Sequence, residues 1–154
     1  MKTVNTREYV GMLRDLVRQG KSVSLLVSGS SMAPFLIHHR DYVHFRSPER
    51  KLKVGDIVFY ERDSGQFVMH RIVRVRKSAS GSPLFDIAGD NQTVIETGVR
   101  SDQIFARIYE VQRKGKTLCP GSFWWEFFAR VWPRVIPLRR AIARLYGLVS
   151  RSRS

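Results

Sequence analysis

Between residues 41 and 111 the chain is cut into short runs of β-branched and aromatic residues, each too brief for an ordinary helix. Tyr42-Val43-His44-Phe45, Ile57-Val58-Phe59-Tyr60 and residues 67–75, 84–88 and 104–111 are the runs. Ser47-Pro48-Glu49-Arg50, Arg62-Asp63-Ser64-Gly65, residues 78–83 and Gly89-Asp90-Asn91 separate them, and all are turn-forming chemistry. Nothing helical lies between the runs, so no crossover is available to make neighbouring strands parallel. The pattern predicts a mainly β fold, an antiparallel sheet curled on itself or closed as a small barrel.

Helices are expected at the two ends. Asn5 followed by Glu8 reads as a capping box, and Tyr9, Leu13, Leu16 and Val17 then share one face until Gly20 stops the helix. That face is expected to pack on the sheet. The character changes again at Pro120-Gly121, where Phe123-Trp124-Trp125-Glu126-Phe127-Phe128 begins a tail. Pro137 opens a further helix with Leu138, Ile142, Leu145 and Val149 on one stripe. The expected organisation is an N-terminal helix (1–21), a β domain (22–118) and an aromatic, basic helical tail (119–154).

One stretch suggests chemistry. Ser28-Gly29-Ser30-Ser31-Met32-Ala33-Pro34 directly follows the apolar run of residues 23–27. A small hydroxyl at the end of a strand, on a tight turn between a glycine and a proline, can be lifted out of the sheet as a nucleophile. Backbone N–H groups nearby are then free to bind an oxyanion. A serine hydroxyl needs a base at neutral pH. His38 and His39 fall in a polar turn and His44 in a strand rich in charge, but His70 interrupts the apolar run of Phe67-Val68-Met69 and Ile72-Val73. A charge there is costly unless it is used or paired. A third group, which would fix the imidazole tautomer, is available as Asp90 or Glu96 in the loop that follows.

The blocks Gly29-Ser30-Ser31-Met32-Ala33-Pro34, Lys53-Val54-Gly55-Asp56-Ile57-Val58-Phe59, His70-Arg71-Ile72-Val73 and Gly89-Asp90-Asn91 occur in the order and rough spacing of type I signal peptidases. The chain resembles that family over roughly residues 22 to 113. The family belongs to a superfamily (S24/S26) shared with self-cleaving repressor proteases. The resemblance implies that Ser31 is the nucleophile and that His70-Arg71 matches the archaeal and endoplasmic-reticulum branch, which has His-Arg where the bacterial branch uses a lysine. It also implies an acidic third member, Glu96 or Asp90. Glu96 stands where that branch has an aspartate, and Gly29 replaces a hydroxyl often found two residues before the nucleophile. The signal peptidases carry a transmembrane anchor, and no apolar stretch here is long enough for one.

The sequence therefore reads as a small serine endopeptidase, without metal or organic cofactor. It would cleave an extended peptide, such as the signal or leader segment of a preprotein, after a small residue. A net charge of +14 calls for an anionic partner. Trp124, Trp125 and Trp132 beside Arg130, Arg134, Arg139, Arg140 and Arg144 suggest peripheral contact with an anionic membrane, so the expected location is membrane-associated or cytoplasmic. The strands are expected to expose few of their aromatics for stacking on bases, which ranks nucleic acid below lipid. A non-catalytic basic binding module on the same fold is the competing reading. Cys119, the only cysteine, has no partner for an intrachain disulfide.

Overall fold

The computed structural model describes residues 6–92, 94–132, 134, 135, 138 and 145. The first helix, α1 (Thr6–Arg18), buries Val10, Leu13 and Val17, spaced three and four residues apart. The inward face thus turns on Val10, while Tyr9, expected inside, is 38% exposed. Gly20, in a left-handed conformation, closes the helix by donating its N–H to the Val17 carbonyl. Asn5, the expected cap, lies outside the described residues.

Eight strands form one antiparallel sheet: β1 (Val23–Leu26), β2 (Tyr42–Arg46), β3 (Ile57–Glu61), β4 (Phe67–Lys77), β5 (Pro83–Ala88), β6 (Glu96–Arg100), β7 (Ile104–Arg113) and β8 (Lys116–Leu118). Their spatial order is β1-β2-β7-β3-β4-β5-β6, with β8 on the end of β7. The sheet is curled and open, not a closed barrel. Two strands are additions to the sequence reading. The loop expected to run on to Glu96 ends there, because Glu96 already pairs with Ile87 as the first residue of β6. The three residues of β8 are too few to show a period.

The curl gives β3 two buried faces. Ile57 and Phe59 point into one apolar layer with α1, Phe45, Ile108 and the turn residues Met32, Phe35 and Leu36. Val58 and Tyr60 point into a second layer with Ile72, Phe85, Ile87 and Val99. Both faces are covered, so β3 reads as a continuous apolar run.

The tail folds onto the first layer. A short helix, α2 (Phe123–Glu126), continues as a wider turn over Phe127–Val131. Trp125 is buried with its ring edge on Phe35, 5.9 Å between centroids, and Phe128 lies 4.9 Å from the same ring. Phe123 and Trp124 remain exposed. Most of the second helix expected in the tail, including Arg139, Arg140 and Arg144, lies outside the described residues. Among the described residues no helix is long and apolar enough to cross a membrane.

Candidate active site

Ser31 opens the turn that leaves β1. The residues after it anchor the turn: Met32, Phe35 and Leu36 are all at or below 1% exposure, and the Leu36 N–H bonds the Met32 carbonyl at 2.9 Å. Pulling those three side chains inward leaves the half-buried Ser31 at the rim of a cavity of about 740 Å³. Gly29, at φ +90, makes the preceding bend and donates its N–H to His38 Nδ1 at 2.7 Å. His38 itself stays exposed, as its polar turn suggested.

His70 enters the same cavity from β4, along with Tyr9, Leu25, Phe67 and Gln92. It stands across from Val58 on β3, and only 5% of it is exposed. A second cavity, of about 550 Å³, also has His70 in its wall, with Arg62, Asn91, Val94 and Glu96. Burial pulls the imidazole pKa down to about 4 from its ordinary 6.5, the Arg62 charge pulls the same way, and the Glu96 charge opposes both. The ring is therefore neutral at pH 7 and able to accept a proton. Among the described residues no group of three or more His, Cys, Asp or Glu side chains could hold a metal ion.

The structure separates the two candidate acids. Glu96 accepts hydrogen bonds from the Tyr60 hydroxyl and from Arg62 Nε, the latter at 3.1 and 3.2 Å to its two oxygens. Burial and the hydrogen bond to Glu96 raise the Tyr60 pKa well above its ordinary value, so the phenol stays protonated as the donor. Asp90 faces elsewhere. Both its oxygens take hydrogen bonds from Arg71, Nε at 2.8 Å and Nη2 at 2.9 Å. Arg71 is completely buried, donates Nη1 to the Gly55 carbonyl at 2.9 Å and lies 5.3 Å from the Phe35 ring centre.

One guanidinium thus joins the blocks seen in the sequence: His70-Arg71, the glycine before Asp56, Gly89-Asp90-Asn91 and the turn after Ser31. On a strand, adjacent residues face opposite sides. His70 therefore reaches the cavity while Arg71 holds the framework behind it.

The Gly-Asp-Asn block also touches the serine turn directly. The Asn91 N–H donates to the Ser31 carbonyl at 2.9 Å. A Cβ on Gly89 would sit 2.5 Å from that same carbonyl oxygen, so only glycine lets the two backbones approach. From behind, the Trp132 Nε1–H donates to the Asp90 carbonyl at 2.6 Å, and its ring lies 5.5 Å from Phe128. Tyr60, Arg62 and Trp132 were missed as contributors. The available signal was chemical: a phenol or indole N–H in an apolar run needs a polar partner when buried.

The chain is thus an open, antiparallel β protein with a turn serine and a buried histidine lining one cavity. The model of the Peptidase S24-like family matches residues 2–82, which include α1, the serine turn and His70. The chain belongs to that family. No curated protein matches it.

Proposed function

We propose that the protein is a serine endopeptidase of the signal-peptidase-like kind, with the His-Arg arrangement of the archaeal and endoplasmic-reticulum branch. The observation that carries the reading is that Ser31 and His70, far apart in sequence, line a single cavity. Ser31 Oγ attacks the scissile carbonyl carbon as His70 takes its proton. The resulting oxyanion is met by the Ser31 N–H, which makes no backbone hydrogen bond among the described residues. Collapse breaks the C–N bond, and the imidazolium returns the proton to the leaving amine. Water then attacks the acyl-enzyme with His70 again as base.

Glu96 is the better third member. Its charge acts on His70 in the direction that stabilises imidazolium, whereas the Asp90 carboxylate is occupied by Arg71. Glu96 reaches this position held by Tyr60 and Arg62, so it acts as a fixed negative charge beside the ring.

The substrate is an extended peptide, a signal or leader segment cut after a small residue. β4 supports this, because residues 67–70 pair only with β3 and β5 joins from Arg71 onward. Among the described residues the cavity-side edge of that half-strand is unpaired, as is the outer edge of β1. A peptide lying between them could use main-chain hydrogen bonds for affinity and side-chain pockets for selection. Exposed Phe123 and Trp124 support peripheral contact with a membrane surface, where such substrates are found.

The test is covalent capture. A fluorophosphonate loses fluoride to an activated serine oxygen, and peptide mapping of the adduct should place it on Ser31. An adduct on another serine, or none in the folded protein, removes the reading.

A further inference from the structure

The charge of +14 leaves open where an anionic partner would sit, and one buried cation points to a place. Arg107 lies on β7 between its cross-strand neighbours Arg46 and Val58. Only 7% of Arg107 is exposed, and its Nε has no hydrogen-bond partner among the described residues. A guanidinium offers five N–H donors and no acceptor, and it does not give up its proton. Burying one without a counter-charge is costly.

The acids close by are already engaged. Arg50 holds both oxygens of Asp56, at 2.9 and 2.8 Å, and the Lys53 N–H adds a third bond to that carboxylate. Glu49 is paired with Arg46 at 2.8 Å, and Arg46 lies 4.4 Å from the Tyr109 ring centre. That pair runs through Arg46 Nε, whose N–H is not well directed at the carboxylate, so among the described residues here Arg107 Nε is the donor left without a counter-charge in contact. Counting Arg107 itself, the three cations Arg107, Arg46 and Arg50 stand here against the two anions Asp56 and Glu49. Burial and the charges of Arg50 and Arg46 all press on the Arg107 cation, with Asp56 and Glu49 opposing.

We propose that Arg107, Arg46 and Arg50 form a binding site for a phosphate-type oxyanion, presented either as free phosphate or as a lipid headgroup. Planar guanidinium forks match the paired oxygens of such a group, and the anion would add to the partial counter-charge that Asp56 and Glu49 supply from a distance. None of the three residues lines either cavity beside His70, so the site is separate from the proposed catalytic one.

Thermal unfolding of the full chain, in inorganic phosphate and in sodium chloride at matched ionic strength, tests this. Phosphate should raise Tm above chloride in the wild type. Arg107→Met should abolish that difference and raise the Tm in chloride, because it removes a buried, unmatched charge. Arg46→Gln, at a more exposed position, should weaken the phosphate response with little change in chloride, which provides a reading even if Arg107→Met fails to fold. Sedimentation with phosphatidylcholine vesicles, with and without phosphatidic acid, separates the sources. Binding that needs phosphatidic acid and falls in both variants identifies a lipid headgroup. A phosphate response without vesicle binding identifies free phosphate. Equal Tm in phosphate and chloride for the wild type, or an equal phosphate response in all three proteins, overturns the site.

Discussion

The Ser31 carbonyl and the Asn91 N–H are joined at 2.9 Å, so the turn that carries the proposed nucleophile rests on the Gly-Asp-Asn block. Gly89→Ala tests how tightly. Its Cβ would stand 2.5 Å from the Ser31 oxygen and 3.1 Å from Gln92 Oε1, and the backbone partner cannot simply rotate away. Overpacking of this kind costs about 1–3 kcal/mol, and here the strain falls on Ser31. The variant should lose both Tm and peptidase activity. Full activity at wild-type stability would show that the two backbones are not held so closely.

Asp90 and Glu96 should fail in different ways. Asp90→Asn weakens a buried bidentate pair and leaves the Arg71 charge without its match, a loss on the order of 3–5 kcal/mol when one partner is removed. Its first consequence should be a fall in Tm. Glu96→Gln should keep the fold nearly intact and lower kcat. A folded, inactive Asp90→Asn beside a fully active Glu96→Gln would reverse the assignment.

Trp132 gives the tail a role at the site. Trp132→Phe keeps a ring against Phe128 but removes the N–H donated to the Asp90 carbonyl. The expected loss is about 1 kcal/mol, with faster hydrogen exchange at the Asn91 amide. Unchanged exchange there would mean that the tail does not brace the block.

His70 sets a pH dependence. Its folded pKa of about 4 lies below the ordinary 6.5, so between those values the unfolded chain binds more protons than the folded one. Stability is thus full above about 6.5 and declines as pH falls toward 4, by on the order of 3 kcal/mol from this group. Asp41 and Asp86, whose pKa values are also lowered, lose stability in acid too, so the comparison must be with His70→Gln. That variant should show a shallower fall in Tm from pH 6.5 to 4. Parallel curves would place the imidazole in water.

The strand runs were legible because β-branched and aromatic residues alternate with turn chemistry, and six of the eight strands follow that pattern. β6 was hidden because Glu96-Thr97-Gly98-Val99-Arg100 is mostly polar and belongs to an edge strand whose outer side needs no apolar cover. The helix face was legible in Leu13, Leu16 and Val17, and only Tyr9 departs from it: with an apolar ring and a hydroxyl it lines the cavity, while Val10 is buried. Ser31 and His70 could be singled out because each is unusual in its local setting. The partners of Asp90 and Glu96 could not, since Arg71 and Tyr60 become neighbours of those acids only when β3, β4, β5 and β6 pair.

The most direct measurement of the proposed chemistry is a mutant cycle on Ser31 and His70. Peptide cleavage is measured for Ser31→Ala, His70→Ala and the double variant, with circular dichroism to establish that each is folded. Residues that act as one catalytic unit are strongly non-additive, so all three should fall to a similar residual rate. Undiminished cleavage by Ser31→Ala, or losses that simply multiply in the double variant, would contradict a Ser31–His70 nucleophile and base.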